Sequence, residues 1–401
     1  MKTVLFGFGN DAKSYLDNFS GLKDKVDQIF DTNIELDTLY EDIPVSTPKM
    51  VSPDNKYVIA SHLYFAEIYN ELIQKYKIPK KHIQSANEWI LELLASKEVS
   101  IRPVKVRLDL CTLCQLDCAY CYMRTGNYGK TGRGYVTAET FENFLLKNPF
   151  VKEIELSNSG EIFLNPELER ILELAKKYNI ACTIGNGTNF NTVPEGVMRL
   201  LVDLPVRFIN ISIDGASQDT YSVYRRGGDY NRVIDNIKRL NVLKKEKGSC
   251  FPELQWQFIM MEHNEEDIEE ARRMADELDM SISFKTDDIK SGFVPKDVDK
   301  IKHLTGKDYF SFQEYNRKHQ KTLYSEFCKE MIFQPQINWD GRLLGCCMIW
   351  NDDLGENVFD IGLENALKGE KYMETVELLL GMKEYSQLKN PIDRKSTRLN
   401  S

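Results

Sequence analysis

Between Val104 and Phe284 the chain alternates six short apolar runs with helical stretches, and this alternation constrains the fold more than any other feature. The runs are Val104–Leu110, Val151–Leu156, Ile180–Ile184, Arg207–Ile213, Leu254–Met261 and Ile282–Phe284. In the first, Val104, Val106, Leu108 and Leu110 recur at the two-residue period of a strand. Within Asp229–Leu243, Val233, Ile237 and Leu240 recur at helical spacing. Ile268, Ala271, Ala275 and Leu278 do the same within Glu265–Leu278, with Asn264 as the expected N-cap. Strands alternating with helices give parallel βα units, hence an α/β fold: a doubly wound sheet or part of a barrel. In a barrel, chemistry gathers at the C-terminal ends of the strands. The polar motifs of this chain all follow strands, which favours a partial (β/α)6 barrel of the TIM type.

The first hundred residues form a separate pattern. Lys2–Phe6 reads as a buried strand, followed by Gly7, Gly9 and Ala12 in G-x-G-x-x-A and a helical stretch through Leu16. A second apolar run ends at Phe30 with Asp31 behind it. Tyr57–Ala60 reads as a third strand and Tyr64–Tyr76 as a helix. A glycine turn opening a helix, with an acid some twenty residues on, is the pattern of a Rossmann-like domain. There a helix N-terminus receives a phosphate and the acid a ribose hydroxyl. Gly7, Gly9, Ala12 and Asp31 are therefore candidate nucleotide-binding residues, although such turns also occur in α/β domains that bind no nucleotide. Residues 1–100 are read as Rossmann-like, 101–308 as the barrel and 309–392 as a small cysteine-containing appendage. Residues 393–401, DRKSTRLNS, resemble the in-frame translation of a common sequencing adapter, so the native chain is expected to continue past Ile392.

A net charge of −9 argues against a nucleic-acid partner, since phosphate binding needs clustered Lys and Arg. No run reaches the roughly 20 apolar residues of a membrane span, and no signal peptide is visible. A cytoplasmic protein with reduced thiols is expected. Nine cysteines then need a reason. Burial as small hydrophobes suits the isolated Cys182 and Cys250, but not the clusters.

The segment after the first barrel strand, LDLCTLCQLDCAYCYM, contains Cys114-x-x-x-Cys118-x-x-Cys121 with Tyr120 before the last cysteine. Three closely spaced thiolates can hold three irons of a 4Fe–4S cube and leave the fourth open. Cys111-x-x-Cys114 with Cys118-x-x-Cys121 also offers a four-thiolate zinc site, though the gap between the pairs is short for one. The cysteine motif resembles that of the radical S-adenosylmethionine superfamily, over roughly Val104 to Lys285. That resemblance implies that Cys114, Cys118 and Cys121 ligate the cluster and that Cys111 does not. LSNSGEIFLNP, at the end of the second strand, looks like the family's G-G-E-P segment, with Ser159 for the first Gly and Ile162 for the Pro. Gly160 would allow close backbone approach, and Glu161 would meet the methionine ammonium of S-adenosylmethionine. INISIDGASQDTYSVYRRGGDYNRVIDNIKRL resembles the fourth-strand region of the branch with SPASM-type C-terminal domains. By position, Ser212 would face the cofactor, Arg225 rather than Arg226 would pair with its carboxylate, and Asn186 in GNGTN would be a weaker contact. Tyr120 belongs to the same set. His263, after the fifth strand, could reach the cavity, but a solvent or capping histidine is the plainer reading.

Cys328, then Gly341-x-x-x-x-Cys346 and Cys347, resemble the opening of a SPASM or twitch-like region, which implies one or more auxiliary iron–sulfur clusters. Trp339-Asp340-Gly341 reads as a hairpin turn between them. The resemblance implies reductive cleavage of S-adenosylmethionine to a 5′-deoxyadenosyl radical that modifies a C–H bond, fed by a one-electron donor such as flavodoxin or ferredoxin. A peptide or protein is the first expected substrate. A sugar or nucleotide-linked metabolite of surface-glycan biosynthesis is the second, and a zinc-stapled binding protein without catalysis a third reading.

Overall fold

The computed structural model describes residues 1–61, 63–119, 121, 131–204, 206–286, 295–309, 312–319, 330–345, 353–379 and 383–389. Tyr120, Cys328, Cys346, Cys347 and Asp393–Ser401 lie outside the described residues. The chain divides into two compact units, Met1–Val104 and Lys105–Ser401.

Unit 1 is built on a six-stranded sheet. Its strands are β1 (Thr3–Phe6), β2 (Gln28–Phe30), β3 (Thr38–Tyr40), β4 (Ile43–Ser46), β5 (Lys56–Ile59) and β6 (Ile83–Ser85), in the order β3-β4-β2-β1-β5-β6. All neighbours are parallel except the β3–β4 hairpin. Counting the parallel strands alone, the order is third, second, first, fourth, fifth, which is the Rossmann arrangement. Helix α1 (Asn10–Asn18) follows β1, α2 (Phe65–Gln74) follows β5, and α3 (Ala86–Ala95) follows β6. Val4, Phe6, Phe30, Tyr57, Ile59, Leu72 and Ile78 form one buried cluster.

Unit 2 carries the six expected strands: β7 (Lys105–Leu108), β8 (Glu153–Glu155), β9 (Ala181–Thr188), β10 (Val206–Ser212), β11 (Glu253–Met260) and β12 (Ser281–Thr286). They are parallel and lie side by side in chain order. The helices between them are α4 (Ala138–Lys147), α5 (Leu168–Lys177), α6 (Glu195–Asp203), α7 (Gln218–Tyr224), α8 (Tyr230–Lys247) and α9 (Ile268–Glu277). Beyond β7 the sheet continues with β13 (Gln336–Ile337), parallel to β7, and β14 (Leu343–Gly345), antiparallel to β13. The Trp339-Asp340-Gly341 turn joins these last two, as its sequence predicts. Gly341 has φ +86, and a Cβ there would meet Asn357 Oδ1 at 2.0 Å.

The period-two pattern has a physical outcome. Val106, Leu108, Ile154, Ile184, Ile209, Ile211, Leu254, Trp256 and Phe258 are fully or almost fully buried on one face of the sheet. The alternate positions Arg107, Asp109, Glu155, Ser157, Asn210, Ser212 and Gln257 are buried too, but polar. One face is thus a packing surface and the other a polar interior. Among the described residues no helix is long and apolar enough to cross a membrane.

Two local expectations are corrected. Asn264 holds the N-cap position of a 3-10 turn, Glu265–Asp267, that leads into α9, but its side chain makes no capping bond there. Its amide instead donates to the Asp214 and Ile259 carbonyls while its oxygen accepts from Met261 N, so it ties together two strand ends. Cys250 is exposed, not a buried hydrophobe, whereas Cys182 is fully buried.

Candidate active site

The cysteine loop leaves β7 and is tied down along its length by backbone hydrogen bonds. Thr112 N donates to the Gly134 carbonyl, Asp117 N to Arg226 and Ala119 N to Tyr224, while Glu161 N donates back to Leu113. Cys118, Ala119, Tyr224 and Met261 pack as a small apolar cluster with Leu116, Cys121 and Ile259 against it. Gly160, at φ +73, is required by this loop: a Cβ there would meet the Thr112 carbonyl carbon at 2.5 Å and the Cys111 oxygen at 2.7 Å. The close approach that its sequence context predicts is therefore to the protein's own backbone.

Ends of successive strands converge on a cavity of about 180 Å³. Cys114, Cys118, Cys121, Gly160, Glu161, Asn186, Ser212 and Arg225 all line it, together with Ser159, Thr188, Asn189 and Gln257. Every cofactor-contact residue expected from the sequence and lying within the described residues is present. Cys111 and His263 do not line it. Cys111 is buried, its backbone bridged to that of Tyr135, and it does not share the cavity lined by the other three cysteines of the motif. Among the described residues no three His, Cys, Asp or Glu side chains group as a single-ion site. Zinc at about 2.3 Å from each sulfur would need its ligands nearly touching, whereas a cube spreads them over separate irons.

The charged groups are held from several sides. Glu161 is almost fully buried, and its carboxylate accepts from Thr188 Oγ1, Asn189 N and Phe163 N. Burial raises its pKa to about 7, against the pull of those donors and of Arg225. Arg225 donates from Nε to Asp214 Oδ2 at 2.5 Å and from Nη1 to Cys118 Sγ at 3.8 Å. Burial works against its charge, but Asp214 and then Cys118 keep its pKa well above the ordinary value. Asp214, itself fully buried, takes a second bond from Ile259 N. Burial pushes the Cys114 thiol up to about 12 and raises that of Cys118, where Arg225 pulls the other way. Ser212 accepts from Gln257 Nε2, and Asn186 donates to the Ser157 carbonyl.

Asp214, Asn189, Gln115 and Gln257 were missed in the sequence. Asp214 carried a signal, since it directly follows the fourth strand in Ile213-Asp214-Gly215. Asn189 closes the GNGTN segment and Gln115 lies inside the cysteine motif, but nothing in either segment announces their pairing across 74 residues.

In unit 1, Gly7 directly follows β1 at φ +94, Gly9 precedes α1, and Ala12 is buried within that helix. Asp31 follows β2, and its carboxylate accepts from Phe8 N at 2.6 Å and Asn33 N at 2.8 Å.

The Radical SAM superfamily model matches residues 109–278. Over 141 residues the chain is 30% identical to a GTP 3′,8-cyclase of Alkaliphilus metalliredigens, covering 33% of this chain and 42% of that protein. Over 173 residues it is 25% identical to the antilisterial bacteriocin subtilosin biosynthesis protein AlbA of Bacillus subtilis, covering 41% and 37%. The chain thus spans about two fifths of the length of these curated relatives. Streptococcus suis SuiB bound to S-adenosylmethionine shares the fold at a TM-score of 0.54 and 15% identity, covering 81% of this chain and 84% of SuiB. SuiB bound to the precursor peptide SuiA matches at a TM-score of 0.53 and 13% identity, covering 79% and 80%.

Proposed function

Because this chain carries a radical S-adenosylmethionine superfamily domain, we propose that it cleaves that cofactor reductively and modifies a C–H bond of a peptide or protein. The observation that carries the reading is the single cavity shared by Cys114, Cys118, Cys121, Glu161, Ser212 and Arg225 at the ends of parallel strands. The donor set fits a 4Fe–4S cube. Three thiols face one cavity, two of their sulfurs meet N–H donors, and among the described residues no fourth cysteine lines it. Cys114, Cys118 and Cys121 would hold the cluster. Glu161 and Arg225 supply opposite charges within one cavity, as the ammonium and carboxylate of the methionine moiety require. Asp214 fixes the Arg225 fork, and Gln257 orients the Ser212 hydroxyl toward the same space. When bound, the cluster and S-adenosylmethionine would supply a one-electron cleavage whose 5′-deoxyadenosyl radical takes hydrogen from substrate carbon.

A peptide substrate is supported by the relative AlbA, a bacteriocin biosynthesis protein, and accords with the likeness in fold to SuiB. A nucleotide-linked or sugar substrate is the second reading, favoured by the Rossmann strand order of unit 1. A flavodoxin- or ferredoxin-type donor would supply the electron. The test is anaerobic reconstitution, with iron, acid-labile sulfide and 5′-deoxyadenosine measured. Mass spectrometry of peptide and nucleotide-sugar candidates then separates the two substrates. Stoichiometric zinc without sulfide would sink the reading.

A further inference from the structure

We propose that Asn189 is a positioning residue that holds an N–H donor against the Cys114 sulfur and so raises the reduction potential of the cluster; this rests on the reading that Cys114, Cys118 and Cys121 carry one. Asn189 is 5% exposed and uses its whole hydrogen-bonding capacity. Its Nδ2 lies 3.8 Å from Cys114 Sγ and 3.2 Å from Gln115 Oε1, one hydrogen for each. Its Oδ1 accepts from Gln115 Nε2 at 3.0 Å and from Asn191 N at 3.0 Å. Its backbone N–H donates to Glu161 Oε2 at 2.6 Å.

This network settles which end of the amide faces the sulfur. A half-turn of the side chain would set Nδ2 against the Asn191 N–H, donor against donor in a buried place, and would turn Oδ1 toward the sulfur of a cluster-bound Cys114 thiolate. The Gln115 amide pairs edge to edge with that of Asn189, so the donor is aimed by a neighbour one residue from the cysteine it serves. An iron–sulfur cluster gains negative charge on reduction, and part of that charge falls on its sulfurs. An N–H aimed at a ligand sulfur stabilises the reduced form more than the oxidised form, and the potential rises. Arg225 makes a similar contact to Cys118, but its charge is shared with Asp214 and it belongs to the proposed cofactor site. Asn189 is neutral, so its replacement isolates the hydrogen bond. Through its backbone it also ties the Cys114 side of the cavity to Glu161.

The experiment uses the anaerobically reconstituted protein, with iron and sulfide content and an EPR-monitored redox titration as separate readouts. Asn189→Ala is expected to keep the wild-type iron and sulfide and to move the midpoint potential to a more negative value. Gln115→Ala leaves the donor but removes the group that aims it, so its shift should have the same sign and be smaller. A wild-type protein without iron and sulfide would remove the cluster reading beneath the inference. A wild-type cluster whose midpoint is unchanged by Asn189→Ala overturns the inference and leaves the cluster reading standing. Should Asn189→Ala fail to assemble a cluster, Gln115→Ala decides, and an unchanged midpoint there overturns the role of Asn189.

Discussion

Both units place a glycine with positive φ near the end of a parallel strand and set a carboxylate close to it, yet the two turns end in different chemistry. In unit 1, Gly7 (φ +94) leads to Phe8, whose N–H is taken by Asp31. The second Asp31 oxygen accepts from Asn33 N. The acid serves its own loop. In unit 2, Gly160 (φ +73) packs on the cysteine loop, and the neighbouring Glu161 lies on a cavity with three thiols and Arg225. The difference lies in what the other strands deliver. A strand-end glycine with an acid is a way to turn a buried backbone; it becomes a site when side chains from further strands arrive at the same space.

The largest effect expected from breaking this contrast is at the cysteines. Replacing Cys114, Cys118 or Cys121 by Ala should abolish cluster assembly and cofactor cleavage, read as loss of iron, sulfide and 5′-deoxyadenosine. Cys111→Ala should leave most of both, because Cys111 does not line the cavity.

Arg225 comes next. Arg225→Ala strips Asp214, which is fully buried, of its cation. Breaking a buried pair from one side costs roughly 3–5 kcal/mol, so denaturant melts should show a loss of that order. Asp214→Asn in the same chain should restore part of it. Binding of S-adenosylmethionine should weaken by a further factor of about 10 to 100, the scale of a hydrogen bond to a charged group. An Arg225→Ala protein with wild-type affinity would detach this residue from the cofactor.

Glu161 sharpens the contrast through pH. Burial raises its pKa from 4.5 to about 7. The folded state therefore holds the proton more tightly than the unfolded state, and the native protein loses stability as pH rises from about 4.5 through about 7. Melting temperatures of the apoprotein across that window should fall less steeply in Glu161→Gln than in wild type. Asp109, which burial raises to about 6, contributes a similar slope in both proteins and cancels in the difference. Equal slopes would show that Glu161 stays ionised throughout. Cofactor affinity should change the other way, improving as Glu161 ionises.

The six parallel strands of unit 2 were legible as short apolar runs between helical stretches, and the observed boundaries lie within a few residues of those expected, even for Ser281–Thr286, which buries only Phe284. The β3–β4 hairpin was not, since Thr38–Tyr40 is largely exposed and Ile43–Ser46 buries only two side chains, around a proline. The three cysteines, Glu161, Ser212 and Arg225 were legible as local motifs. What escaped was long-range: the Asp214 brace on Arg225, the pairing of Gln115 with Asn189, and the use of Asn264 to join strand ends rather than to cap a helix. Such partners come together only when strands from distant parts of the chain align, and no spacing rule in one segment announces them.

The smallest expected effect concerns the unit 1 turn, where the comparison can still be reversed. Both Asp31 oxygens already hold backbone donors, and Phe8 N–H, which could face a phosphate, is one of them. A nucleotide would have to compete with those bonds, so a nucleoside diphosphate or nucleotide-sugar should raise the melting temperature only slightly, following the mass-action dependence on ligand concentration. Gly9→Val provides the control. A Cβ at Gly9 meets nothing within 4 Å, so the substitution should leave unit 1 folded while filling the space before α1. Gly7→Val is a different case. Its φ of +94 and the Ser61 Cβ at 3.3 Å make a side chain there strained, and it should lower stability without ligand. A large shift with a nucleotide, lost in Gly9→Val, would make the unit 1 turn a ligand site in its own right. It would also strengthen the reading in which a nucleotide-linked metabolite is the substrate.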